Sequence, residues 1–287
     1  MRIGTWNVNY QGVLGSGRLG THAHETGIDL MLLQAADPDA LANFITHAGL
    51  DWVVTAWDAG APALTTPGRR RVAAVAGRGP RPTSIGYLRD LDRPERMMFA
   101  TIGSGPGSFT VASYHAPSGP EAGISKVDGA HILLDWVQSV DGPLILGADA
   151  NTPKLDHPDP DKARTHWQTG IRKLSGRPGD DVMFGGRPEH DLEDAYRRYL
   201  SQNPGLLQSV ALERPRGPLA VSHRTGRRLG SAVKLRRYDA LWISRDFDVQ
   251  RVDYDLESAT RAGSDHALVK VDLTWDCNNA IFWTDPS

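Results

Sequence analysis

Polar residues recur where the strand-like runs of this chain end. Asn7 and Asn9 close the first run, His115 follows Tyr114, Asp149 and Asn151 follow Leu144 to Ala148, Asp239 opens another run, and Asp265-His266 precede the last one. Loops at the ends of sheet strands are where a rigid scaffold displays catalytic groups. Brought together, the asparagine and aspartate oxygens suit a hard divalent cation, and the two imidazoles suit proton movement near neutral pH. That inventory points to phosphoryl transfer.

The elements that would position these residues alternate along the chain, as in a layered α/β domain. Arg2–Val8, Ile28–Gln34, Val53–Trp57, Val72–Ala76, Met97–Ile102, Phe109–Tyr114, Leu144–Ala148, Tyr238–Ser244 and Leu268–Leu273 read as strands. Ala40–Ala48 reads as a helix begun at Asp37-Pro38 and closed by Gly49. Gly123–Ser139 reads as a helix with Ile132, Leu133, Trp136 and Val137 on one stripe. Leu14–Gly27 reads as a loop followed by a short helix, with His22 and His24 solvated. Between Thr152 and Ser231 the periodicity weakens, leaving a helix at Asp191–Leu200. No linker or internal repeat divides the chain, so residues 1–287 are expected to share one core as a single domain.

Lys plus Arg number 32 against 34 Asp plus Glu, a net charge of −2, which excludes whole-molecule attraction to a polyanion and requires any basic site to be local. One cysteine, Cys277, excludes an internal disulfide and a thiolate cluster. No run is long and apolar enough to span a bilayer, and the first residues lack a secretory signal, so a soluble cytoplasmic protein without a membrane partner is expected.

Six segments carry a resemblance: Thr5-Trp6-Asn7-Val8-Asn9, Leu32-Leu33-Gln34, Tyr114-His115-Ala116-Pro117-Ser118, Gly147-Ala148-Asp149-Ala150-Asn151, Arg237-Tyr238-Asp239-Ala240-Leu241 and Gly263-Ser264-Asp265-His266. In this order and over nearly the whole chain, they resemble the endonuclease/exonuclease/phosphatase superfamily, the DNase-I-like fold. The resemblance implies a four-layer α/β sandwich of two packed mixed β-sheets flanked by helices. It implies Mg²⁺ (or Mn²⁺) held at Asn7 and Asp265, with Asn9 nearby, and Asp149 and Asn151 positioning water and phosphate. His266, hydrogen-bonded to Asp239, would be general base or charged phosphate ligand, and His115 would serve the departing oxygen.

The departure is at Ala35. The family's strand ends in Gln-Glu, whose Glu is the principal metal ligand, whereas Gln34 here precedes a methyl group that cannot coordinate Mg²⁺. Three readings of Ala35 stand open: a deliberately inactivated variant, a natural member binding metal through Asp265, Asn7 and water, and a pseudoenzyme.

Two basic stretches are weighed separately. Arg69-Arg70-Arg71 reads as a solvated hairpin edge. Arg214, Arg216, Arg224, Arg227, Arg228, Lys234, Arg236 and Arg237 follow one another with no acidic residue between and lead into Asp239. They read as a clamp for phosphates, with Arg224, Arg236 and Arg237 as its substrate-binding members. A metal-dependent nuclease with a nucleic-acid partner, DNA more than RNA, is therefore the first expectation. A small-molecule or lipid-headgroup phosphoesterase and a non-catalytic binding module are the alternatives.

Overall fold

Leu30–Ala36 and Val72–Gly77 are buried along their whole length, which suits strands of a sheet covered on both faces. The computed structural model of the protein describes residues 1–9, 12–63, 70–118, 123–169, 179–225 and 232–275. Arg69, Arg227, Arg228, Cys277 and the tail residues Phe282 and Trp283 lie outside them.

In chain order the elements are β1 (Arg2–Asn7), α1 (Val13–Glu25), β2 (Leu30–Ala36), α2 (Leu41–Ala48), β3 (Trp52–Thr55), β4 (Val72–Gly77), β5 (Ser84–Gly86), β6 (Met97–Ile102), β7 (Phe109–His115), α3 (Gly123–Ser139), β8 (Leu144–Asp149), α4 (His166–Thr169), α5 (Asp181–Phe184), β9 (Glu193–Asp194), α6 (Ala195–Gln202), α7 (Pro204–Glu213), β10 (His223–Thr225), β11 (Lys234–Arg236), β12 (Asp239–Ile243), β13 (Phe247–Asp255), α8 (Leu256–Ala262) and β14 (Leu268–Trp275). One six-stranded sheet runs β13-β14-β1-β2-β4-β3 and the other β5-β6-β7-β8-β12-β9. Each is mixed, with one parallel pair, β1 with β2 and β7 with β8, among antiparallel neighbours.

Apolar side chains of both sheets share one core, in which Ile3, Leu32 and Val75 meet Val111, Ile145 and Leu241. Leu19, Phe44 and Ala259 carry α1, α2 and α8 onto the first sheet. On the second sheet Leu133 of α3 and Phe184 of α5 pack against Leu146 and Trp242. Helix, sheet, sheet and helix make the expected α/β sandwich.

The sequence misleads at α1. The stretch rich in glycine is not a loop but a thirteen-residue helix packed on α2. A Cβ on Gly20 would strike the Phe44 carbonyl oxygen, and one on Gly17 would come within 3.0 Å of Asn43 Nδ2. Glycine lowers helix propensity, but here it lets two helices approach closely enough for packing to prevail. His22 consequently is not solvated: it is 8% exposed, meets the Trp6 ring edge-on, and faces Asp255 at 3.3 Å.

Candidate active site

The parallel pairs decide where the polar residues meet. Because β1 runs with β2 and β7 with β8, their carboxyl ends gather at one edge of the sandwich, and the antiparallel β12 and β14 begin there. His115, Asp149 and Asp239 stand side by side in register across three strands of the second sheet. Asn7 reaches over from the first sheet and donates from Nδ2 to Asp149 Oδ2 at 2.7 Å, tying the two sheets together.

His266 Nδ1 lies 2.9 and 3.1 Å from the two oxygens of Asp239, and 3.9 Å from Asp149 Oδ2. The Asp239 carboxylate is fully buried, so this contact fixes the orientation of the imidazole and favours the proton on Nδ1. Serines hold the backbone around the pair. Ser264 Oγ donates to the Asn7 carbonyl at 2.6 Å and accepts from the His266 amide at 3.0 Å. Ser222 Oγ accepts from the amides of Tyr238 and Asp239. Trp6 Nε1 donates to the His266 carbonyl at 3.0 Å.

Asp149 is the hub. Its Oδ1 accepts from the Asn151 amide at 3.0 Å, and its Oδ2 lies 3.4 Å from His115 Nε2. Asn151, at φ +49°, donates from its side chain to the Ala116 carbonyl, while Lys126 Nζ of α3 donates to the Asn151 carbonyl at 2.7 Å. Burial pushes the His115 imidazole down to about 4, with the negative charge of Asp149 opposing only in part. His115 is therefore neutral at pH 7 and can offer a hydrogen bond rather than a charge.

A stability prediction follows from the sign of that shift. Below about pH 6.5 the unfolded chain takes up a proton on residue 115 that the folded chain refuses until about pH 4. Unfolding free energy is expected to fall by about 3 kcal/mol from this group as pH drops through that window. Urea denaturation at pH 7.0, 5.5 and 4.5 should show His115→Asn flattening the profile. A mutant profile parallel to the parent's would refute it.

Ala35 lies at the same edge, 2% exposed and at φ +51°, where the β2–β4 register shifts between Leu33 and Ala36. Gln34 is fully buried between the sheets, donating to Thr5 Oγ1, Ser113 Oγ and the Leu32 carbonyl, so it does not stand in for a carboxylate. Asn9, at φ +50°, donates its amide to Asn7 Oδ1 at 2.9 Å. The ligating atoms of Asp265 gather with His223 and His266. An oxygen-only Mg²⁺ centre needs several oxygens. With the Asn7 amide turned to Asn9 and Asp149 and a methyl at residue 35, these residues do not complete one.

The basic stretch divides. Arg237, expected in the phosphate clamp, is instead turned inward: it is 4% exposed, with its guanidinium on Asp156 at 2.7 Å and Asp194 at 2.7 Å, and Arg197 joins Asp156 at 2.6 Å. Its charge is neutralised inside the protein, because a buried guanidinium requires carboxylate partners. Arg214 also turns inward, onto the Pro218 and Leu219 carbonyls. Arg224 and Lys234 are exposed on the β10–β11 hairpin, and the half-buried Arg236 donates to the Lys154 carbonyl. Arg70 is not simply solvated either, pairing with Asp39 and covering the Trp57 ring.

Sequence reasoning missed four contributors. His223 stacks on His266, Lys126 braces Asn151, and the positive charges of Arg71 and Arg96 act on His115. Nothing in their spacing marks them, because each arrives from a different part of the chain.

No protein-family model matches the chain, and no curated protein matches it. Solved structures do. D. rerio TDP2, in a complex with single-strand DNA product, aligns at 13% identity over 96% of this chain and 98% of that one, with a TM-score of 0.63. The Bacteroides vulgatus endonuclease/exonuclease/phosphatase protein aligns at 13% identity over 96% and 98%, with a TM-score of 0.60. The endonuclease domain of TRAS1, a telomere-specific retrotransposon, aligns at 16% identity over 96% and 99%, with a TM-score of 0.51. The chain takes the fold of the endonuclease/exonuclease/phosphatase superfamily.

Proposed function

We propose that this protein is a phosphodiesterase that hydrolyses nucleic acid. The observation that carries the reading is the buried Asp239–His266 pair, set 3.9 Å from an Asp149 that is itself anchored by Asn7 across the two sheets. Such a pair holds an imidazole ready to take a proton from water.

In the proposed reaction, His266, with Nδ1 held by Asp239, accepts at Nε2 the proton of a water attacking phosphorus in line with the departing oxygen. The Asp149–Asn151 turn orients that water and the phosphate. Neutral His115 donates a hydrogen bond to the departing oxygen. Arg224 and Arg236 contact neighbouring phosphates. Mg²⁺ or Mn²⁺ would add charge neutralisation at the phosphoryl oxygens. Since Asn7, Asp265 and Ala35 do not complete its centre, no step here depends on it. Single-stranded DNA is the first substrate to try, because TDP2 of the same fold was crystallised with a single-strand DNA product.

The test is cleavage of matched single- and double-stranded DNA and RNA, with Mg²⁺ or Mn²⁺, by this chain and by Ala35→Glu side by side. Residue 35 already carries a Cβ at its positive φ, so the longer side chain adds no backbone strain. Ala35→Glu is expected to raise Mg²⁺-dependent cleavage at least tenfold. If neither protein cuts any polymer while small phosphoesters are turned over, nucleic acid loses its place as substrate.

A further inference from the structure

His223 stands at this edge, and the proposed reaction has no use for it. It opens β10, its backbone bridges that of His266, and its ring stacks on the His266 ring at 4.3 Å between centroids and 22° between planes. Its Nδ1 lies 2.9 Å from the Asp265 carbonyl oxygen, while His266 Nδ1 lies 2.9 Å from the Asp239 carboxylate.

Two neighbouring imidazoles thus each have Nδ1 against an acceptor, one a backbone carbonyl and the other a carboxylate. That is how proteins orient histidines that ligate metal through Nε2: the outer acceptor fixes the tautomer and raises the basicity of the other nitrogen. A carboxylate completes the set. One ligating atom each from His223, Asp265 and His266 lie within 4.8 Å of one another. Two nitrogens and one carboxylate suit Zn²⁺ and its first-row neighbours, whereas Mg²⁺ prefers oxygen alone.

We infer that His223, Asp265 and His266 form a binding site for a borderline divalent cation of the Zn²⁺ kind. The consequence for hydrolysis rests on the phosphodiesterase reading, while the site itself does not. The His266 Nε2 lone pair cannot take a proton and a cation together. Loading the site therefore removes the proton acceptor, and Zn²⁺ is an inhibitor of the proposed reaction.

The test is titration of the purified, metal-stripped protein with Zn²⁺ by calorimetry and with Co²⁺ by visible absorption. Both are expected to show one site per chain that millimolar Mg²⁺ does not displace. His223→Ala should bind at least thirtyfold more weakly. His223→Asn keeps an N–H for the Asp265 carbonyl and should bind as weakly as the alanine variant while folding like the parent by circular dichroism. Zn²⁺ should inhibit cleavage by the parent and spare both variants. Absence of a Zn²⁺ site, or equal affinity in folded His223→Asn, overturns the inference and leaves the phosphodiesterase reading standing. A His223-dependent Zn²⁺ site in a protein that cleaves nothing upholds the site and removes the phosphodiesterase reading.

Discussion

Replacing His266 with alanine is expected to lower phosphodiester cleavage by about 10³- to 10⁴-fold, the range lost when a positioned proton acceptor is removed. Asp239→Asn should cost about as much, although it touches no substrate. A neutral amide does not favour the Nδ1 proton, so the ring is free to take the wrong tautomer. The two variants separate by pH: the proton-acceptor limb of the rate profile should persist, shifted, in Asp239→Asn and disappear in His266→Ala. The fold should survive both, because the backbone at residue 266 is held by Ser264 and Trp6 rather than by its own imidazole. Full activity in His266→Ala, with unchanged circular dichroism, would sink the proposed reaction.

Removing Arg237 should do something quite different from what a phosphate clamp implies. Its guanidinium joins Asp156 and Asp194, and Asp156 is 3% exposed. Breaking a buried pair by deleting one partner costs about 3–5 kcal/mol, because the other charge stays desolvated. For a domain whose total stability is typically about 5–15 kcal/mol, that is a large share. Arg237→Ala is expected to lose that amount in urea denaturation with an unchanged m-value, and Arg237→Lys should recover little, since one ammonium cannot span both carboxylates. Exposed Arg224→Ala should leave stability within about 0.5 kcal/mol and act instead on the salt dependence of substrate binding. A fully stable Arg237→Ala would return that residue to the substrate face.

How far the sequence could be read depends on what holds each element. The strands Met97–Ile102 and Phe109–His115 and the helix Gly123–Ser139 carry their own apolar patterns, and the structure has them at or within a residue of the expected bounds. Gly49 ends α2 at φ +63°, as a helix-closing glycine should, although Asp37 forms a turn before the helix instead of capping it. The elements that were missed draw their stability from neighbours. β13 alternates imperfectly because of a bulge between Val249 and Arg251, and α7 leaves Leu212 exposed, so neither advertises a buried face. The same holds at the site. Asp239 and His266 stand in recognisable local contexts, whereas His223 is identified only by what it stacks upon.

The contacts of Trp6 with His266 and of Asn7 with Ser264 join positions 260 and 257 residues apart. Loop closure over such separations belongs to high contact order, and such pairings form late because ordering the intervening chain must come first. On the ribosome, a nascent chain that has completed β12 already carries Asn7, His115, Asp149 and Asp239 yet lacks the strand that delivers His266. The proposed hydrolytic centre is thus withheld until synthesis has passed His266. Products of translation interrupted before that point lack both the imidazole on which the proposed activity depends and β14, the strand that pairs with β1.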